Sequence, residues 1–247
     1  MTDYPYLPNA PIVEALVDLR VQLPAGFNVE VLRDLHGSVA ATYPRVEAQR
    51  LLQGKLHFSR EGMVAQGPSR AVLGFRMLSE DGRNVVQFRR DGFTFSRLRP
   101  YTEWPALYEE AWRLWELYRE VAQPSGVSRL ATRFINRLQC PPSFRLEEYF
   151  RAPPEIPAGV PNVMASFLYR YVLAPVDGIT SNVTLATEPS APGVGYTSVV
   201  FDIDCYVNKE FRPDEAERIA SIFANLHDMK NRIFFSSLTD KAIDAFK

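Results

Sequence analysis

The sequence predicts an α+β protein: a largely antiparallel sheet with long helices on one face, in two pseudo-repeated halves of the form strand, helix, strands, helix. Three observations carry this expectation. From Val13 every second residue is apolar (Val13, Ala15, Val17, Leu19, Val21, Leu23), with Glu14, Leu16, Asp18, Arg20 and Gln22 between them. That is the period of a strand with one face in a core. Asp-Gly pairs stand in EDGR and RDGF between apolar runs, the strongest short-range hairpin signal. Residues 103–121 and 213–234 carry apolar stripes at helical spacing, as amphipathic helices on a sheet do.

Taken in order, the opening strand is followed by a helical pattern in NVEVLRDLHGSVAATYP. Asn28 is its N-cap, Val31, Leu32 and Leu35 form its apolar face, and Pro44 is its exit. A strand follows over 48–58, bounded by turn signals in REG and QGPSR. AVLGFRMLS, RNVVQFRR and GFTFSRLRP then form a three-stranded meander. Thr102 caps the first long helix, whose stripe is Trp104, Leu107, Tyr108, Ala111, Leu114, Trp115 and Tyr118. Pro105 is tolerated in its first turn. PSG at 124–126 ends this half, and SRLATRFINRLQ opens the second with Leu130, Thr132, Phe134, Asn136 and Leu138 on one face and Arg129, Arg133 and Arg137 on the other.

RLEEYF reads as a short helix between proline-rich stretches, and three strand candidates follow. The last of them turns Val199, Phe201, Ile203, Cys205 and Val207 inward and Asp202, Asp204 and Tyr206 outward. The second long helix and a short one capped by Thr239 close the chain. The expected boundaries are 1–122 and 127–247, two halves sharing one core.

Four blocks, PNAPIVEA, FTFSRLRPYTEWPALYEEAWRLW, RLATRFINRL and LHDMKNRIFFSSLTDKA, resemble in this order a sporadically distributed family of uncharacterised bacterial proteins of about this size. The resemblance runs along the whole chain, and it assigns no activity and no catalytic residues.

With 28 basic and 29 acidic residues, charge is balanced, which argues against general nucleic-acid binding. Two cysteines, Cys140 and Cys205, make neither a disulfide framework nor a cysteine-rich zinc site. The N-terminus lacks a signal-peptide pattern, and no apolar run reaches the roughly 20 residues that span a bilayer. A cytoplasmic protein with no membrane association is expected. G-x-S-x-G, P-loop, H-E-x-x-H and paired C-x-x-C motifs are absent, so no cofactor or metal is expected.

The outward residues Glu14, Asp18, Arg20, Arg133, Arg137, Asp202 and Asp204, with Arg129, predict a cross-strand ion-pair network that also serves as a ligand or partner surface. Asn136, polar on an apolar face, is expected to brace backbone, and His227 to pack near the helix–sheet junction. The leading expectation is a non-catalytic binding protein that holds a protein or small molecule on its polar sheet face or in the groove between halves. An enzyme built on the Arg133/Arg137 and Asp202/Asp204 strands is the alternative. A second alternative is a single-stranded nucleic-acid platform over 60–99, where eight arginines interleave with Phe75, Phe88, Phe93 and Phe95.

Overall fold

The computed structural model describes residues 4–59, 62–141, 144–155, 157, 159, 166–188 and 195–247, with the side chains of 51–70 outside that description. Its frame is one nine-stranded sheet. The strands are β1 (Ile12–Gln22), β2 (Arg45–Ser59), β3 (Gly62–Leu78), β4 (Asn84–Arg89), β5 (Gly92–Leu98), β6 (Gly126–Cys140), β7 (Leu168–Val176), β8 (Ile179–Glu188) and β9 (Thr197–Phe211). They lie in the order β2-β3-β4-β5-β1-β6-β9-β8-β7, and each paired neighbour is antiparallel. The fold is therefore α+β and mostly antiparallel sheet. β1 and β6 form its centre.

Alternation decides which way the central strands face. Ala15, Val17, Leu19 and Val21 of β1 are buried, as are Leu130, Phe134 and Leu138 of β6 and Val199, Phe201, Ile203, Cys205 and Val207 of β9. At the start of β1 the expected pattern fails, because Ile12 rather than Val13 is buried. The pairing with β6 shifts between Ile12 and Glu14, and such an irregularity exchanges the faces of the residues before it.

The two Asp-Gly sites are the β3–β4 and β4–β5 turns, with Gly82 at φ 70° and Gly92 at φ 157°. Glycine is also demanded by space: a Cβ on Gly92 would fall 2.3 Å from the Leu19 carbonyl oxygen. QGPSR is not a turn. It lies inside β3, paired along much of its length with β2.

Two helices cover the apolar side. α3 (Trp104–Ala122) packs on β5 and β1, and α4 (Ala216–Ser237) packs on β6 and β9. The N-cap of α3 is Glu103 rather than Thr102, with no side-chain cap bond and Pro105 in the first turn. The helix expected over 28–44 is instead two four-residue turns, α1 (Val31–Asp34) and α2 (His36–Val39), and Leu32, Val39 and the intervening Leu35 reach the core. Asn28 Oδ1 accepts from the Glu30 amide and so turns the chain without capping a long helix. Leu146–Glu148 is a 3-10 turn. Thr239 does cap the last helix, α5 (Asp240–Asp244), by accepting from the Ala242 amide. No helix among the described residues is long and apolar enough to cross a membrane.

Trp115 is fully buried among Phe93 and Tyr118, whereas Trp112 is only half-buried. Trp115→Ala is expected to cost about 3–5 kcal/mol and Trp112→Ala distinctly less, as read from urea melts. Equal losses would contradict this packing.

Candidate functional site

On the polar side of the sheet, register lines up charged residues from four strands, β1, β4, β6 and β9. Asp18 Oδ1 accepts from Arg20 Nε and Arg129 Nη1, each at 3.2 Å. Its Oδ2 accepts from Arg89 Nη2 at 3.2 Å and from the Thr94 hydroxyl at 2.7 Å. Arg89 also donates to Thr94, Gln87 and Asp91. Arg20 donates to Asp91 as well. Arg129 spans to both oxygens of Asp204 at 3.1 Å, and Asn182 donates to the same carboxylate. Three arginines thus meet three aspartates.

The geometry corrects one expectation. Asp18 faces the polar side but is only 5% exposed, and Arg89 only 6%. Arg89 is flanked across the strands by Gly74 and Gly92, so no neighbouring side chain on that rung competes for its space. A Cβ on Gly74 would lie 2.1 Å from the Phe88 carbonyl oxygen. The centre of this face is closed in, and its groups satisfy one another.

Farther along β6 and β9 the arginines open to solvent. Arg133 holds Asp202 through two bonds, at 2.9 and 2.6 Å. The guanidinium is stabilised in its charged form chiefly by that contact, with Asp204 and Glu14 adding to the negative field. Arg137 reaches Glu188 rather than either aspartate. Both Asp202 and Asp204 are held by arginine, Asp202 by Arg133 and Asp204 by Arg129.

The nucleic-acid platform loses its aromatic half. Phe75, Phe88, Phe93 and Phe95 are all buried in the core, where no base can stack on them. The side chains of Arg60 and Arg70 lie outside the described residues.

A different site lies on the helix side. Between the N-terminal segment, the start of α3, β6 and α4 is a cavity of about 280 Å³. Its walls include Tyr4, Tyr101, Glu103, Trp104, Asn136, His227, Lys230, Phe234 and Phe235. His227 stacks on Trp104 with ring centres 4.5 Å apart and planes at 10°, and Tyr4 stacks on Phe235 at 4.9 Å. Asn136 is buried and donates to the carbonyl oxygens of Phe134 and Phe201, which fixes the backbone beneath the cavity floor. Burial, reinforced by the Lys230 charge, holds the His227 imidazole down at about 3.

Lys230 is the unusual member. It is 6% exposed, its Nζ lies 4.0 Å from the centre of the Phe134 ring, and it donates to Asn231 Oδ1 at 2.5 Å. Among the described residues no carboxylate lies in ion-pair range of it. Burial lowers its ammonium to about 7. A second cavity of about 220 Å³ lies beside α3. There Glu110 takes bonds from Tyr43 and Arg113, and Arg97 donates to Asn84.

Lys230 is not among the candidate residues that the sequence pattern singles out. A signal was present: Ile219, Phe223, Leu226, Lys230 and Ile233 of α4 are all buried at steps of four and three. Lys230 is the lysine on that apolar stripe. Trp104, expected only as part of the apolar stripe of α3, lines the cavity as well. No group of three His, Cys, Asp or Glu among the described residues is placed to hold a metal.

No family model matches the chain, and no curated protein matches it.

Proposed function

We propose that this chain is a non-catalytic binding protein that holds a small molecule in the cavity between its two halves. On this reading residues 1–122 and 127–247 are pseudo-repeated sheet-and-helix halves. Each half's first strand, β1 or β6, pairs with that half's last, β5 or β9, and the halves meet along β1–β6. α3 from one half and α4 from the other both lean on Phe134, through Trp104 and His227, and the cavity opens where they meet.

The observation that carries the proposal is Lys230, a buried cation that no described carboxylate neutralises, lining an aromatic cavity. Cavities with apolar walls and a few polar groups are where small ligands bind. The four blocks behind the family resemblance support it too. Ala10 and Ile12, Tyr101 to Pro105, Asn136, and His227 with Lys230 come from different blocks and line the same cavity. Membership of that bacterial family and a cytoplasmic setting complete the proposal.

The test is a thermal-melt screen of small organic fragments. Ala10→Phe, which fills the cavity wall, is expected to abolish the stabilising hits. Arg133→Ala and Asp202→Ala are expected to keep them, and to lower stability by no more than about 1 kcal/mol, the usual worth of exposed pairs. Hits that instead vanish in Arg133→Ala or Asp202→Ala move the site to the polar face and overturn the proposal.

A further inference from the structure

We infer that the ligand of this cavity is a small organic monocarboxylate with a flat, apolar body, its carboxylate paired with Lys230 Nζ. The inference rests on the cavity being the ligand site.

Charge is the first argument. An ammonium buried without a counter-ion is costly, and Lys230 has three donors of which Asn231 takes one. The Phe134 ring face offers the cation partial compensation. A carboxylate entering the cavity supplies the missing negative charge and two acceptor oxygens at once.

The second argument selects among anions. A phosphate dianion is usually met by arginine forks or nests of backbone amides. Here Lys230 faces the cavity as its cation among the described wall residues, and Glu103 stands in the same wall. A single ammonium matches one negative charge, so a monoanion is balanced by Lys230 and a dianion is left with an excess charge in a buried site.

The walls set the shape of the rest. Trp104 stacked on His227 and Tyr4 stacked on Phe235 present flat surfaces, with Tyr101 and Phe234 between them. A volume of about 280 Å³ admits a molecule of one or two rings and leaves no room for a nucleotide or a peptide.

Binding follows the protonation of Lys230. The titratable groups that act on it or share its cavity are His227 on its own helix and Cys205 on β9, with Tyr101 and Glu103 ahead of α3 and Tyr4 on the N-terminal segment elsewhere in the lining. His227 is held down at about 3, and burial pushes the Cys205 thiol up to about 11. Neither changes charge between pH 6 and 9.

The experiment titrates benzoate, phenylacetate and indole-3-acetate against their primary amides by calorimetry, in wild type and Lys230→Met. At pH 6.5 at least one carboxylate is expected to bind wild type ten-fold or more tighter than its amide. That preference is expected to disappear in Lys230→Met and to shrink in wild type as pH rises from 7 to 9.

Amides binding wild type as tightly as carboxylates would overturn the carboxylate assignment, while Ala10→Phe-sensitive hits would leave the cavity as the ligand site. A lack of response to every carboxylate alongside borohydride-trappable capture of benzaldehyde at Lys230 would also overturn it, and would make Lys230 an imine-forming amine. Fragment hits that ignore Ala10→Phe would remove the cavity reading itself.

Discussion

Asp18→Ala is expected to destabilise the protein by about 3–5 kcal/mol, the range for removing one partner of a buried ion pair. The cost comes from what remains rather than from the lost contacts. Arg89, 6% exposed, would keep only Asp91 as a charged partner, and the Asp91 side chain is 48% exposed. Arg20 and Arg129 would each lose their bond to the central carboxylate, leaving three guanidinium groups around two aspartates.

Asp18→Asn separates charge from hydrogen bonding. It can still accept from Thr94, and an intermediate loss is expected. In the double variant Asp18→Ala/Arg89→Met part of the loss should return, because the orphaned charge is gone. Urea melts of the four proteins measure this, with Asp202→Ala, whose partner Arg133 is exposed, as the less buried control. A loss for Asp18→Ala no larger than that for Asp202→Ala would mean that water reaches the centre of the polar face.

That same residue shows where the sequence is silent. Alternation puts Asp18 opposite Val17 and Leu19, and this is how it faces. Nothing in the local pattern says that Arg89, Thr94 and Arg129, from three other strands, close over it. Their approach is set by register, a non-local property fixed once β4, β5 and β6 have paired.

The bulge at Ile12 is hidden for a similar reason, since a period of two cannot reveal an extra residue before its partner strand is known. Turns fared differently. Asp-Gly at 81–82 and 91–92 is legible because left-handed backbone is a local demand that glycine meets at little cost. QGPSR carries the same turn-forming residue types, yet pairing with β2 overrides them. The helix expected over 28–44 survives only as two turns, with Gly37 in the second.

The cavity combines the legible and the hidden. Asn136 stands out as a polar residue on an apolar face, and Lys230 as a lysine on an apolar stripe. That both line one cavity follows from α4 crossing β6, which no short-range pattern contains.

Lys230→Met is expected to stabilise the ligand-free protein at pH 6–7 by about 3–5 kcal/mol, with the gain fading as pH rises. Burial lowers the ammonium from 10.5 to about 7. Between those values the unfolded chain holds a proton that the folded lysine has released, so the free energy of unfolding rises with pH. Below about pH 7 both states are protonated and the folded state bears the whole penalty. At about 1.4 kcal/mol per tenfold change in proton affinity, the gap from 10.5 to about 7 corresponds to roughly 5 kcal/mol. Some of the gain is offset by the loss of the Phe134 contact. Methionine keeps the length and flexibility of the side chain, so packing changes little.

His227 acts over a lower range with the same sign. The unfolded imidazole takes a proton near 6.5, while the folded one resists until about 3. Its contribution is therefore complete above 6.5 and is lost as pH falls towards 3. Removing the Lys230 charge takes away one of the two causes of that shift, so Lys230→Met should also lose stability less steeply on acidification. Urea melts of both proteins at pH 4.5, 6.5, 8 and 9.5 test the whole scheme. A variant no more stable than wild type at pH 6.5 would mean that the ammonium is already compensated in the folded chain, and the charge argument for an anionic ligand would fall with it.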